Sequence, residues 1–137
     1  MNQSAETTYP GFPDLLKYPG YTVYRRKDTI LQVEFLPGHT ITVEDARQQV
    51  EALKQLKNTD RCLLLAVFRE GTTFDKEVRE FISSDEVTKI VKADALVIKG
   101  LALKILANGY LQINRPNRPC RVFNSTTNAL KWLHQYL

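Results

Sequence analysis

The spacing of apolar positions changes several times along this chain, and each change marks an element. In residues 29–36, Ile30, Gln32 and Glu34 alternate with Leu31, Val33 and Phe35, the period of two that a strand imposes. Residues 21–25 precede it across a polar joint at Arg26-Lys27-Asp28, which predicts an antiparallel hairpin ended by Pro37-Gly38. Beyond it the period lengthens. Val43, Ala46, Val50, Leu53 and Leu56 recur at helical spacing after Thr42, with Asp45 placed three residues on to complete a capping box. Residues 62–68 are then continuously apolar, as suits a central strand covered on both faces.

The same grammar repeats to the end of the chain. A loop, residues 69–74, leads to a helix opening near Asp75 and burying Val78, Phe81 and Ile82. Ser83-Ser84-Asp85-Glu86 offers a second cap, from which Val87, Ile90 and Val91 continue helically. Residues 93–98 form the next apolar strand. Residues 101–113 form the most apolar helix of the chain, with only Lys104, Asn108 and Gln112 as a polar line. So wide an apolar surface requires cover on more than one side. Residues 120–123 and the helix around Ala129-Leu130-Lys131-Trp132-Leu133 close the series. Alternating strands and helices predict an α/β fold with a largely parallel sheet and crossover helices.

Residues 1–20 break the pattern. Prolines 10, 13 and 19, with Gly11 and Gly20, argue against a regular element there. This stretch is expected to be an N-terminal arm whose first several residues fray, ahead of a single domain over residues 21–137.

At 137 residues, 43% hydrophobic and 25% charged, the chain has the size and composition of one globular domain. A formal charge of +4 is too small to imply a nucleic-acid binder. No basic-then-apolar leader and no apolar run of membrane-spanning length is visible, so a cytoplasmic protein without stable membrane insertion is expected. Cys62 and Cys120 lie in apolar strands without a CxxC motif, and buried reduced thiols are the expectation.

The chemistry-bearing residues do not converge. His39 and His134 are the only histidines, without metal-ligand spacing around them, and no phosphate loop or nucleophile elbow occurs. No cofactor is expected. Arg115, Arg118 and Arg121 form a basic cluster, readable as a site for an anionic group or as a solvated loop. The helix over 101–113, carrying Leu103 and Tyr110, is the strongest lead. With Phe74 and Phe81 it either lines a pocket or presents an interface, or it is simply core.

Several stretches together resemble a known group: Ile30-Leu31-Gln32-Val33-Glu34-Phe35, then Ile41-Thr42-Val43-Glu44-Asp45-Ala46, then residues 106–116, then Arg121-Val122-Phe123 with Ala129-Leu130-Lys131-Trp132-Leu133. Over residues 21–137 this order is similar to that of small bacterial proteins of unknown function within the STAS/SpoIIAA-like fold group. The resemblance implies a curved, mostly parallel sheet of four to five strands, with an N-terminal antiparallel hairpin and four to five helices. It also implies a binding or regulatory module, since the group includes anti-sigma-factor antagonists, anion-transporter domains and relatives of lipid carriers. In the antagonists a serine at the start of the helix after the central strand is phosphorylated. Lys76 falls about there in this chain, so that switch does not carry over, and Thr72 or Thr73 is the weak substitute.

The sequence thus predicts a non-enzymatic module acting through a protein partner or a homodimer, using the surface of helices 75–91 and 101–113. The alternative is a carrier or sensor of a lipid-like small molecule held at those helices and steadied by Arg115 or Arg118.

Overall fold

The computed structural model describes residues 8–9 and 12–137. The expected fraying of the first several residues falls on positions outside the described ones. Nine strands and five helices follow in order: β1 (Thr8–Tyr9), β2 (Phe12–Tyr18), β3 (Tyr21–Arg25), β4 (Leu31–Phe35), β5 (Thr40–Ile41), α1 (Val43–Leu56), β6 (Cys62–Phe68), β7 (Thr73–Phe74), α2 (Lys76–Ile82), α3 (Asp85–Thr88), β8 (Val91–Ile98), α4 (Leu101–Ile113), β9 (Cys120–Phe123) and α5 (Thr126–His134).

The fold is α/β. Seven strands form one sheet in the order β1-β2-β3-β4-β6-β8-β9, and β5 pairs with β7 in a separate parallel ribbon. From β4 to β9 the sheet is parallel, and from β1 to β4 it is antiparallel. The expected hairpin is present as β3 and β4, paired from Tyr21 opposite Phe35 to Arg25 opposite Leu31.

The sheet is wider than the four to five strands expected, because the proline-rich lead joins it. Residues 12–18 are strand, where an irregular arm was expected. The ladder between β2 and β3 runs only over Leu15–Tyr18, so Pro13 forfeits no bond in it. Leu16 and Tyr18 point inward with Lys17 exposed between them, a period of two too short to stand out among prolines. Gly20, at φ +97°, closes the turn into β3. A second difference lies after α3, which ends at Thr88. Val91 already belongs to β8, paired with Cys62.

Side chains on the two faces of the sheet enter two separate clusters. Ala66, Phe68, Leu96 and Ile98 face α1, α2, α3 and α4. Leu63, Leu65, Ala93, Ala95 and Val97 face α5 through Ala129 and Leu133. The continuous apolar run of β6, and that of β8 from Ala93 on with Asp94 its one polar member, are thus explained, since both faces of these strands are covered. The threonine cap at α1 forms as the sequence predicts. Thr42 Oγ1 accepts from the Asp45 amide at 3.0 Å, and Asp45 Oδ2 accepts from the Thr42 amide at 3.1 Å.

Candidate functional site

Helix α4 follows β8 without a side-chain cap, from Gly100 at φ +100°. Leu103, Ala107 and Tyr110 recur at four and three residues and form its buried line. The opposite side carries Leu101, Ala102, Ile105, Asn108, Gly109, Gln112 and Ile113. Leu101 is 74% exposed, Ile105 64% and Ile113 82%. Three large aliphatic side chains on one outward helix face are unusual for a surface in contact only with water.

This arrangement corrects the expected interface residues. Leu103 (9% exposed) and Tyr110 (2%) are core. The outward residues are Leu101, Ile105 and Ile113. The polar line of Asn108 and Gln112 runs along this outward side, with Leu103, Ala107 and Tyr110 opposite it, so the periodicity carried the orientation that the choice of Leu103 and Tyr110 overlooked. Arg115 is exposed just beyond α4, at φ +45°, with Nε donating to the Gln112 carbonyl at 3.0 Å.

Arg118 is not in a solvated loop, and it is not free to hold a ligand. Its side chain is 2% exposed. Nε and Nη2 donate to the two Asp94 oxygens at 2.9 and 3.2 Å, Nη1 to Thr88 Oγ1 at 2.9 Å, and Nη2 to the Ile82 carbonyl at 2.8 Å. One guanidinium therefore ties the loop before β9 to β8, α2 and the end of α3. Burial alone would lower the Arg118 pKa, but the adjacent Asp94 carboxylate outweighs it and holds the charge more firmly. Tyr110 and Cys120 flank the pair, and burial raises the pKa of both, with the Asp94 charge adding to it. Neither is poised as a nucleophile. Nothing local marks the Asp94 pairing, because an aspartate within an apolar strand carries no pattern of its own.

Phe74 and Phe81 do meet Arg118, in the wall of a partly open cavity of about 70 Å³. Phe35, Gln49, Leu96 and Asp94 also border it. Phe74 is buried against Phe68, their ring centroids 6.0 Å apart. Phe81 is half-buried, with the Arg47 guanidinium 4.8 Å above its ring. Arg115, Leu103 and Tyr110 do not line this cavity. The expected pocket set thus divides between a small cavity and the two sides of α4.

The two threonines also separate. Thr72 is 2% exposed and its hydroxyl donates to the Arg69 carbonyl at 2.7 Å. It is inaccessible to a kinase, so of the two candidates only Thr73, exposed in β7, is left. Asp75 occupies the N-cap of α2 and accepts from the Val78 amide.

Both histidines have carboxylate partners that the sequence reading missed. His39 Nε2 lies 2.8 Å from Asp45 Oδ2, and His134 Nε2 lies 3.1 Å from Asp28 Oδ2. The His39 ring packs against Gly20, leaving no room for a Cβ there, and lies nearly parallel to the Phe35 ring. Asp45 is meanwhile held by the α1 cap. The dyad therefore clamps the β2–β3 turn and the β4–α1 loop together. The available signal was that the capping-box acid follows His39 by six residues. Among the described residues no group of three His, Cys, Asp or Glu side chains could hold a metal ion. No described helix is long and apolar enough to cross a membrane.

No curated protein and no solved structure matches the chain. Residues 24–137, nearly all of the fold from β3 onward, match the family described as a domain of unknown function, DUF7793, and the chain belongs to that family.

Proposed function

We propose that this domain is a non-enzymatic docking module of STAS/SpoIIAA-like type, working through the outer face of α4. The observation that carries the reading is the exposure of Leu101, Ile105 and Ile113 on a helix whose buried line is already filled by Leu103, Ala107 and Tyr110. An apolar face that the domain's own core does not use is available for another molecule. The STAS-like assignment draws support from successive strand–helix units, with α1 to α4 in one cluster and α5 alone in the other.

The non-enzymatic reading is supported by how the titratable groups are committed. Asp94 and Arg118 neutralise one another, and Asp45 is shared by His39 and the helix cap. Each polar cluster serves a structural junction, with no nucleophile beside a base. The carrier reading has less support at the helices it invokes, because the cavity beside Phe74 and Phe81 holds about 70 Å³, several-fold below the ~300 Å³ at which small-molecule pockets begin. The larger clefts of about 480 and 320 Å³ lie away from those helices, beside Arg61 and Tyr136 and beside Tyr18 and Leu36.

The test is to measure the native assembly size of the full chain in extracts of its own cells, beside the Ile105→Glu variant. The wild type is expected in an assembly larger than a monomer, and the variant as a monomer with unchanged thermal unfolding. A monomeric wild type, or one whose native mass carries a lipid-sized addition, contradicts the docking reading.

A further inference from the structure

We infer that the occupant of the α4 face is an acidic amphipathic helix of another protein. This rests on the docking reading above and adds the partner's chemistry. The first observation is charge. All 15 acidic residues lie at or before Asp94, while residues 95–137 carry six lysines and arginines and no carboxylate side chain. Three of those six are occupied elsewhere: Arg118 by Asp94, Arg121 over the Phe123 ring at 5.3 Å, and Lys131 on α5 beneath the other sheet face.

Lys99, Lys104 and Arg115 remain, respectively before, within and just after α4. None has an ion-pair partner among the described residues. Asp85 accepts from Asn117 in the following loop and pairs with none of the three. The apolar face is thus rimmed by one sign of charge. An acidic surface is drawn to it, and a second copy presenting the same face is repelled.

The second observation is spacing. Leu101, Ile105, Asn108 and Gln112 follow one another at four, three and four residues, the interval of a seam between two helices. Ala102 and Gly109 lie beside that seam, and a Cβ on Gly109 would meet nothing within 4 Å. A second helix therefore has room to approach closely. The amides of Asn108 and Gln112 interrupt the aliphatic stripe, and the side chains of a helix can satisfy them where lipid hydrocarbon cannot. Spacing and amides together favour a helix over an anionic bilayer, which would answer only the charge.

Binding of labelled helical peptides to the full chain tests the inference. Each peptide has about three heptads with leucine at the seam, flanked by Glu, Gln or Lys. The Glu peptide is expected to bind at least ~10-fold more tightly than the other two. That advantage should shrink in ~0.5 M salt and vanish in Ile105→Glu, whose unfolding matches wild type. Vesicles of phosphatidylglycerol and phosphatidylcholine should not co-sediment the protein. Equal binding of all three peptides, lost in Ile105→Glu, overturns the acidic partner and leaves the docking reading standing. Vesicle binding without peptide preference overturns it in favour of a bilayer. Binding of neither peptides nor vesicles overturns both.

Discussion

Helices α1 and α4 pack on the same face of the sheet and are almost equal in length, yet their outer surfaces differ. On α1, Val50, Leu53 and Leu56 face the core while Glu44, Arg47, Glu51 and Lys54 face outward. That is the division expected of a helix between a core and water. On α4 the inner line is equally apolar, but Lys104 is the only charge in thirteen residues. The outer side of α1 is suited to solvent, and that of α4 to contact with another surface. The ends differ as well. A capping box fixes the start of α1, whereas α4 starts at an uncapped glycine and is anchored beyond its end by Arg118.

The largest effect expected from breaking this comparison lies at that anchor. Arg118→Ala would leave Asp94 buried without its partner, costing ~3–5 kcal/mol of unfolding free energy, read from denaturant midpoints. Arg118→Lys should recover little, since an ammonium cannot reproduce the forked contacts to Asp94, Thr88 and the Ile82 carbonyl. Next come the two sides of α4. Leu103→Ala should cost ~2–3 kcal/mol as a core truncation, while Leu101→Ala, two residues away and outward, should stay within about 0.5 kcal/mol. Equal costs at the two positions would mean that both sides of α4 are core.

Alkaline pH offers a smaller effect that reports on the interior as a whole. Burial pushes the Cys62 thiol from its ordinary 9 up to about 12. Burial likewise raises Cys120, Tyr21 and Tyr110. Above pH 9 the unfolded chain therefore releases protons that the folded one retains, and stability falls as pH rises. Cys62 alone should contribute a loss of ~1.4 kcal/mol by pH 10, measured as the midpoint difference between pH 8 and pH 10 and reduced in Cys62→Ala. The smallest loss expected of a structural contact lies at the start of α1, where Thr42→Ala should cost ~1 kcal/mol. The matching position before α4, Gly100, has no side-chain cap to lose.

Much of this molecule is legible in its sequence where a local pattern carries the structural cause. The alternation of residues 30–35 marks β4, Thr42 and Asp45 mark the start of α1, an unbroken apolar run marks β6, and a run broken by Asp94 marks β8. What could not be read depends on contacts between distant positions. β2 is strand because β3 offers it a partner, although its own prolines argue otherwise. Arg118 is buried because Asp94, twenty-four residues earlier, lies in the neighbouring strand. Leu103 and Leu101 are equally hydrophobic, and what separates them in the sequence is the polar line of Asn108 and Gln112, which shares the side of Leu101. Residues 101–113 form the helix that the sequence predicts, and the large side chains it turns outward are Leu101, Ile105 and Ile113, not Leu103 and Tyr110.

The most direct test of the α4 account is photo-crosslinking in the protein's own cells from a benzophenone side chain at position 105, with position 55 on the outer side of α1 as its counterpart. A discrete protein adduct from 105 and none from 55 is the expected result. The same adducts from both positions, or none from 105, would contradict the claim that α4 carries the docking surface.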